Sequence, residues 1–403
     1  MTELCDLTAT EARRLIGTRE VSARELLQSC IERTEAVNPA VNAMVATCYD
    51  RAKREAETAD RLTAAGGPFP PLHGLPFGVK DLTETADVRT TYGSLIYTDN
   101  VPKTDARIVA DIRGAGGIMV GKTNTPEWGA GANTFNPVYG ATGNPFDPRL
   151  VSGGSSGGSA VALATGMVPL ATGSDMGGSL RTPAAYCGVV GFRPTPGLVP
   201  SEKRPRLWAP FSVDGPMART VEDIVLLLSV IARHDARDPL SRPDRPSFSR
   251  PKPVDLSSLR VGLSDDLGFT RIDRRIRDTF RRRAGALAPA FRSCGDVDAG
   301  LTNAHEVFDV LRGFTFAAGY REMLEKHPDK VGVLVADNTR YGLSLTADQI
   351  AAAEIEHTKM YRRFQALFDE IDVLICPTVA LPPFPKEQPY PVEIDGGKVR
   401  SYI

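Results

Sequence analysis

Apolar positions in the first seventy residues recur at helical spacing. Leu26, Leu27, Cys30 and Ile31 form one stripe, and Thr8-x-x-Glu11 and Ser22-x-x-Glu25 have the form of capping boxes. They predict two amphipathic helices, the second stopped at Asn38-Pro39, because proline pushes the residue before it out of the helical region. A third helix, rich in Ala, Arg and Glu, is expected over about Tyr49–Ala65. From Leu75 the period changes. Short apolar runs (FGVK, GIMVG and VPLAT) read as strands and alternate with helical patterns such as DARIVADIRGAG. That alternation predicts an α/β fold, with helices covering a mainly parallel or mixed sheet.

Further on, a mostly apolar helix is expected over Thr220–Ala232, then an exposed loop of Pro, Arg, Ser and Asp over 237–253. A strand at Leu259–Leu263, helices around 273–290, 303–326 and 346–370, and a strand at Val373–Cys376 follow. There is no internal repeat. The sequence reads as one domain over 1–403: a helical layer (1–66), a core (70–235), an exposed loop (236–256) and a variable helical region (257–403). Residues 270–370 read as an insertion or cap on the sheet.

Composition narrows the function classes. Of 403 residues, 42% are hydrophobic and 24% charged, as in ordinary soluble proteins. The net charge of −1, with no basic half, argues against an electrostatic grip on nucleic acid. Arg274–Arg275 and Arg281–Arg283 are read as a solvated helix face. The N-terminus has no basic and apolar signal pattern, and no apolar run nears the roughly 18 residues of a spanning helix. Six scattered cysteines (5, 30, 48, 187, 294, 376) read as reduced thiols of a cytoplasmic protein. Five isolated histidines, without HExxH, predict no metal, and no cofactor is expected.

The candidate chemistry lies between Val151 and Thr195, where Ser155 and Ser179 each sit in a glycine-rich turn. A serine hydroxyl needs a base to take its proton. No histidine lies near either turn, but Lys80, after the apolar run Leu75–Val79, could serve if burial keeps it neutral. The plainer reading is a surface lysine paired with Asp81 or Glu84. Around Ser179, Gly177-Gly178 can aim backbone N–H groups at one point, as an oxyanion requires; the plainer reading is a serine capping the next helix. GGSSGGS around Ser155 has linker composition, but rigid apolar segments flank it. GGIMVGKT (116–123) matches the phosphate-loop pattern, yet its centre reads as a strand and Asn124-Thr125-Pro126 interrupts any following helix.

Taken together, GLPFGVKD (74–81), RTTYGS (89–94), GKTNTPEW (121–128), NPFD (144–147), GGSSGGSA (153–160), GSDMGGSLRTPAAYCGVVGFRPT (173–195) and DGPMARTVED (214–223) resemble the amidase signature family in order and spacing. The resemblance implies a mixed, twisted central sheet flanked by helices on both faces, and a Ser–cisSer–Lys triad. Ser179 would be the nucleophile, Ser155, after a cis Gly154–Ser155 bond, the proton relay, and Lys80 the base. The backbone N–H groups of Met176, Gly177, Gly178 and Ser179 would form the oxyanion hole. Asp175 and Arg181 would buttress the nucleophile loop. The implied reaction is hydrolysis of a small-molecule amide to acid and amine or ammonia, with pocket walls near Gly129–Thr134 and the 303–360 helices. No nucleic-acid or membrane partner is implied, and a homodimer is compatible with the sequence. The family normally continues past the position of Ile403, so the last strands and helix are expected to be missing. Two alternatives stand beside this reading: the glutaminase subunit of a tRNA-dependent amidotransferase, and a truncated non-catalytic remnant.

Overall fold

Thr8 opens α1 (Ala9–Gly17) by accepting from the Glu11 N–H. Ser22 opens α2 (Ala23–Val41) as a full capping box, with the Glu25 carboxylate returning to the Ser22 N–H at 2.8 Å. The apolar stripe of α2 is buried throughout. The expected stop at Asn38-Pro39 is wrong by one turn: Pro39 lies inside α2, which ends before Asn42 at φ +51°. Asn38 shapes that end with its side chain, accepting from the Ala43 and Met44 N–H groups at 2.8 Å and donating to the Met44 carbonyl. These local side-chain-to-backbone bonds outweigh the preference of a residue before proline for extended backbone.

The computed structural model describes residues 3–244, 247–248 and 253–399. They fall in two compact units: 3–244 and 247–248 with 383–389, and 253–382 with 390–399. After α2 the first unit runs through β1 (Met44–Thr47), α3 (Tyr49–Ala65), β2 (Pro76–Lys80), α4 (Arg107–Gly114) and β3 (Ile118–Thr123). A short hairpin of β4 (Phe135–Asn136) and β5 (Gly140–Ala141) leads to α5 (Gly157–Ala164), β6 (Leu170–Asp175), α6 (Arg181–Cys187), β7 (Val190–Gly191), β8 (Val213–Ala218) and α7 (Val221–Ile231).

The main sheet has the order β1-β3-β2-β6-β8-β7. Strands β3, β2 and β6 are parallel, whereas β1 and β8 run against their neighbours, so the sheet is mixed. All five residues of β2 are buried. Phe77, Val79, Ile118, Met119 and Leu170 pack there with α5, which is apolar all round and buried from Gly157 to Leu163. Each large side chain buried in this way contributes roughly 1.5–3 kcal/mol. The carboxyl ends of β2 and β6 are thereby fixed, and in open α/β sheets such ends are where ligand sites form. The phosphate-loop pattern dissolves in this context, because Gly121-Lys122-Thr123 belong to β3.

The second unit has its own parallel sheet, ordered β10 (Ser293–Asp296), β9 (Arg260–Leu263), β11 (Val373–Ile375). Val261, Leu263 and Ala284 form a core with Phe280, Phe291 and Ile375. Its helices are α8 (Arg274–Leu287), α9 (Ala304–Lys326), α10 (Val333–Ser344) and α11 (Ala347–Leu367). Neither α10 nor the polar β10 was expected from the pattern. Among the described residues no helix is long and apolar enough to cross a membrane.

Candidate active site

Lys80 ends β2 and is fully buried. Its Nζ lies 2.6 Å from Ser155 Oγ, 2.9 Å from Ser156 Oγ and 3.0 Å from Ser174 Oγ. The surface pairing with Asp81 or Glu84 does not occur. Asp81 accepts from the Thr91 hydroxyl at 2.6 Å, and Glu84 pairs with Lys203. Burial pushes the Lys80 ammonium down, and the negative charges of Asp214 and Asp175 only partly restore it, leaving a pKa of about 7. At neutral pH a large share of Lys80 is therefore neutral and able to accept a proton. Beside it on β3, Lys122 is also buried and lowered to about 8 despite Asp81; it donates to the Thr83 carbonyl and to Thr85 Oγ1.

Ser155 is 2% exposed, and the Gly154–Ser155 peptide is cis. Gly154 fits because nothing larger can: a Cβ there would lie 2.8 Å from the Asn133 backbone. Thr134 pins the turn on both sides, donating to the Gly153 carbonyl at 2.8 Å and accepting from the Gly157 N–H at 3.1 Å. GGSSGGS is thus a buried, hydrogen-bonded turn with no linker character.

Ser179 lies in the loop joining β6 to α6, half-buried, and its carbonyl accepts from the Ser156 N–H at 3.2 Å. That bond ties the two serine turns together. Ser179 does not cap α6, whose N-cap is Leu180. The loop is organised by Asp175, fully buried at the end of β6. Its carboxylate accepts from the Gly178 N–H (2.9 Å), the Leu180 N–H (3.1 Å), the Arg181 fork (3.0 Å to each oxygen) and Arg193 (2.9 Å). Burial alone would raise this carboxyl, but Arg181, Arg193 and the backbone donor outweigh it and hold the pKa at about 2.

The Gly178 N–H, one of the four expected oxyanion donors, donates to Asp175 here and helps shape the loop. The Gly177 and Ser179 N–H groups have no acceptor among the described residues.

Asp175→Asn is expected to destabilise the protein by about 3–5 kcal/mol, since removing one partner leaves buried charge uncompensated. Denaturant unfolding at pH 7 measures it. A depressed carboxyl stabilises the fold above its unfolded value and loses that contribution as it protonates. The gap between parent and variant should therefore close as pH falls from about 4 towards 2.

Comparison with known proteins places this geometry. The sequence profile of the Amidase family matches residues 25–401. The chain belongs to the amidase family. An acylamidase of Rhodococcus erythropolis is 33% identical over 408 residues, covering 98% of this chain and 84% of its own. In Chloroflexus aurantiacus, one of the chains of the glutamyl-tRNA(Gln) amidotransferase is 33% identical over 413 residues, covering 96% and 84%. The crystal structure of a bacterial aryl acylamidase of the amidase signature enzymes superposes with a TM-score of 0.92 at 27% identity, covering 98% of this chain and 85% of that one.

In this amidase the structure brings Lys80 and Ser155 into contact and ties Ser179 to them through the backbone. Sequence reasoning missed Ser156, Ser174, Arg193 and Asp214, and named Thr134 only as the end of an expected pocket wall. Ser156 had a signal in the doubled serine of GGSSGGS. The others become neighbours only through strand pairing and loop packing, which leave no periodic trace. Among the described residues no cluster of three His, Cys, Asp or Glu side chains is arranged to hold a metal ion.

Beside Ser155, the amidase chain turns at Trp128 (φ +44°) and Gly129 (φ +72°). A Cβ on Gly129 would lie 3.0 Å from Leu82 Cδ1 and 3.3 Å from Ser155 Oγ. Gly129→Val is therefore expected to push against Ser155 and to slow amide hydrolysis by about 10- to 100-fold, because small displacements in an active site have effects of that size. Single-turnover kinetics with saturating substrate would read the loss in the chemical step.

Proposed function

We infer that this amide hydrolase works through an acyl-enzyme on Ser179, with Ser155 as proton relay and Lys80 as base. The observation that carries the reading is the 2.6 Å contact between buried Lys80 and Ser155, in a turn bonded to the Ser179 loop. In acylation Ser179 Oγ forms a bond to the amide carbonyl carbon. Its proton passes to Ser155 Oγ, whose own proton passes to Lys80 Nζ, and the carbonyl π pair moves onto oxygen. The free Gly177 and Ser179 N–H groups are the donors suited to that oxyanion. Collapse then breaks the C–N bond. The nitrogen keeps the pair and takes a proton from Ser155, which is recharged from Lys80. Water repeats the sequence on the ester and releases the acid.

The substrate is a small-molecule carboxylic amide. The acylamidase relative and the aryl acylamidase structure favour acyl amides, acylated aryl amines among them. All six cysteines are free thiols, which supports a reducing, cytoplasmic setting. The amidotransferase relatives favour a second reading, in which the chain is a glutaminase that acts with partner subunits. A panel of acyl anilides, aliphatic amides and glutamine, offered to the chain alone, tests the two. Amine release from acyl amides is expected. Glutamine turnover that appears only with partner subunits, and no other hydrolysis, would favour the second.

A further inference from the structure

Two carboxylates act on buried Lys80, and they differ in how their charge is balanced. Asp175 is held by Arg181 and Arg193, so its negative charge is largely met by two guanidinium groups. Asp214, on β8, makes no ion pair among the described residues; its Oδ2 accepts from the Ser201 hydroxyl. Ser201 is fixed in turn, its N–H donating at 2.9 Å to Asp238, which grips Arg204 at 2.7 Å. The β6–β8 register sets Asp214 directly opposite Ser174. Side chains so paired leave the sheet on the same face with Cβ atoms about 4.5–5.5 Å apart. Ser174 Oγ is itself 3.0 Å from Lys80 Nζ.

We infer that Asp214 is the counter-charge of Lys80: a positioning residue that acts through the lysine and Ser174 and stabilises the ammonium formed as the serine relay delivers its proton. The inference rests on the reading of Lys80 as base. A half-buried carboxylate with one hydroxyl donor is costly unless a cation answers it. During acylation the lysine becomes that cation, so the attraction is stronger in the transition state than in the ground state, which is the condition for it to speed the reaction. Burial pushes the Asp214 carboxyl up and Glu202 adds to that, while the Ser201 hydroxyl, Lys80 and Arg204, itself bound to Asp238, favour the ionised form. Lys122, the other buried lysine, is balanced by Asp81.

The test is the rate at which a fluorophosphonate labels the full chain, followed against pH, since labelling reads serine activation without a chosen substrate. Wild type should show an acid limb near pH 7, where Lys80 loses its proton. Removing the negative charge makes the lysine easier to deprotonate. Asp214→Asn should therefore move the limb to lower pH by about one unit and lower the plateau by about tenfold or more. Asp214→Glu should keep the limb near its wild-type place. Ser201→Ala, which weakens the hold on the carboxylate, should shift it the same way by less, and decides the matter if Asp214→Asn does not fold. A role confined to tethering the Ser201 loop would lower melting temperature and plateau together and leave the limb unmoved; that result overturns the inference. Lys80→Ala run alongside separates the two readings. An inert Lys80→Ala with an unmoved limb removes Asp214 alone, whereas labelling of Lys80→Ala at the wild-type rate removes the base assignment itself.

Discussion

Ser179→Ala is expected to abolish acyl-enzyme formation and to lower turnover by about 10⁴-fold or more, the scale seen when an enzyme loses its nucleophile. The fold should be unaffected. Ser179 is half-buried, its carbonyl still accepts from the Ser156 N–H in the variant, and the α6 cap does not involve its hydroxyl. Loss of activity with an unchanged melting temperature is thus the expected pair of results. Steady-state hydrolysis of an acyl amide and a thermal melt of the same preparation check it. Full activity in the variant would remove Ser179 from the mechanism.

Lys80→Ala should slow acylation by about 10²–10⁴-fold, the usual worth of a positioned general base. The pH dependence adds a second signature. Lys80 is held at about 7 in the folded chain against an ordinary lysine value of 10.5. Between those values the unfolded chain binds a proton that the folded chain does not, so stability rises with pH across the window. Below about pH 7 both states are protonated and the cost of burying the ammonium is fully present. Lys80→Met should lack this rise. Unfolding free energies of parent and variant at pH 6.5 and 9.5 would therefore change relative to each other, with the parent gaining at the higher pH. Parallel behaviour of the two proteins would show that Lys80 carries its proton equally in both states.

The parts of the site that chemistry restricts to a few residue types were legible in the chain. A serine without histidine needs another base, and Lys80 at the end of an apolar run was the candidate; the structure buries it against Ser155. The glycines around both serines marked turns where backbone approaches backbone, as Gly154 does at Asn133. The alternation after Leu75 carried the α/β class, helical spacing carried α2, and a composition rich in Ala, Arg and Glu carried α3. What escaped was whatever depends on which strands pair. Ser174 and Asp214 are forty positions apart and become neighbours only in the β6–β8 register. The bond from the Gly178 N–H to Asp175 follows from a loop conformation that no spacing rule encodes. Pro39 misled because side-chain bonds from Asn38 rebuild the end of α2. In the second unit, β10 is short and polar, so its alternation carried no hydrophobic signal.

The central claim is that Ser179 is an activated nucleophile served by Ser155 and Lys80. Intact-protein mass after exposure to a fluorophosphonate, with peptide mapping and Ser179→Ala treated in parallel, tests it most directly. The account predicts one stoichiometric adduct, located on Ser179, and none on the variant. An adduct that persists in Ser179→Ala, or a cooperatively folded parent that takes up no label, would contradict it.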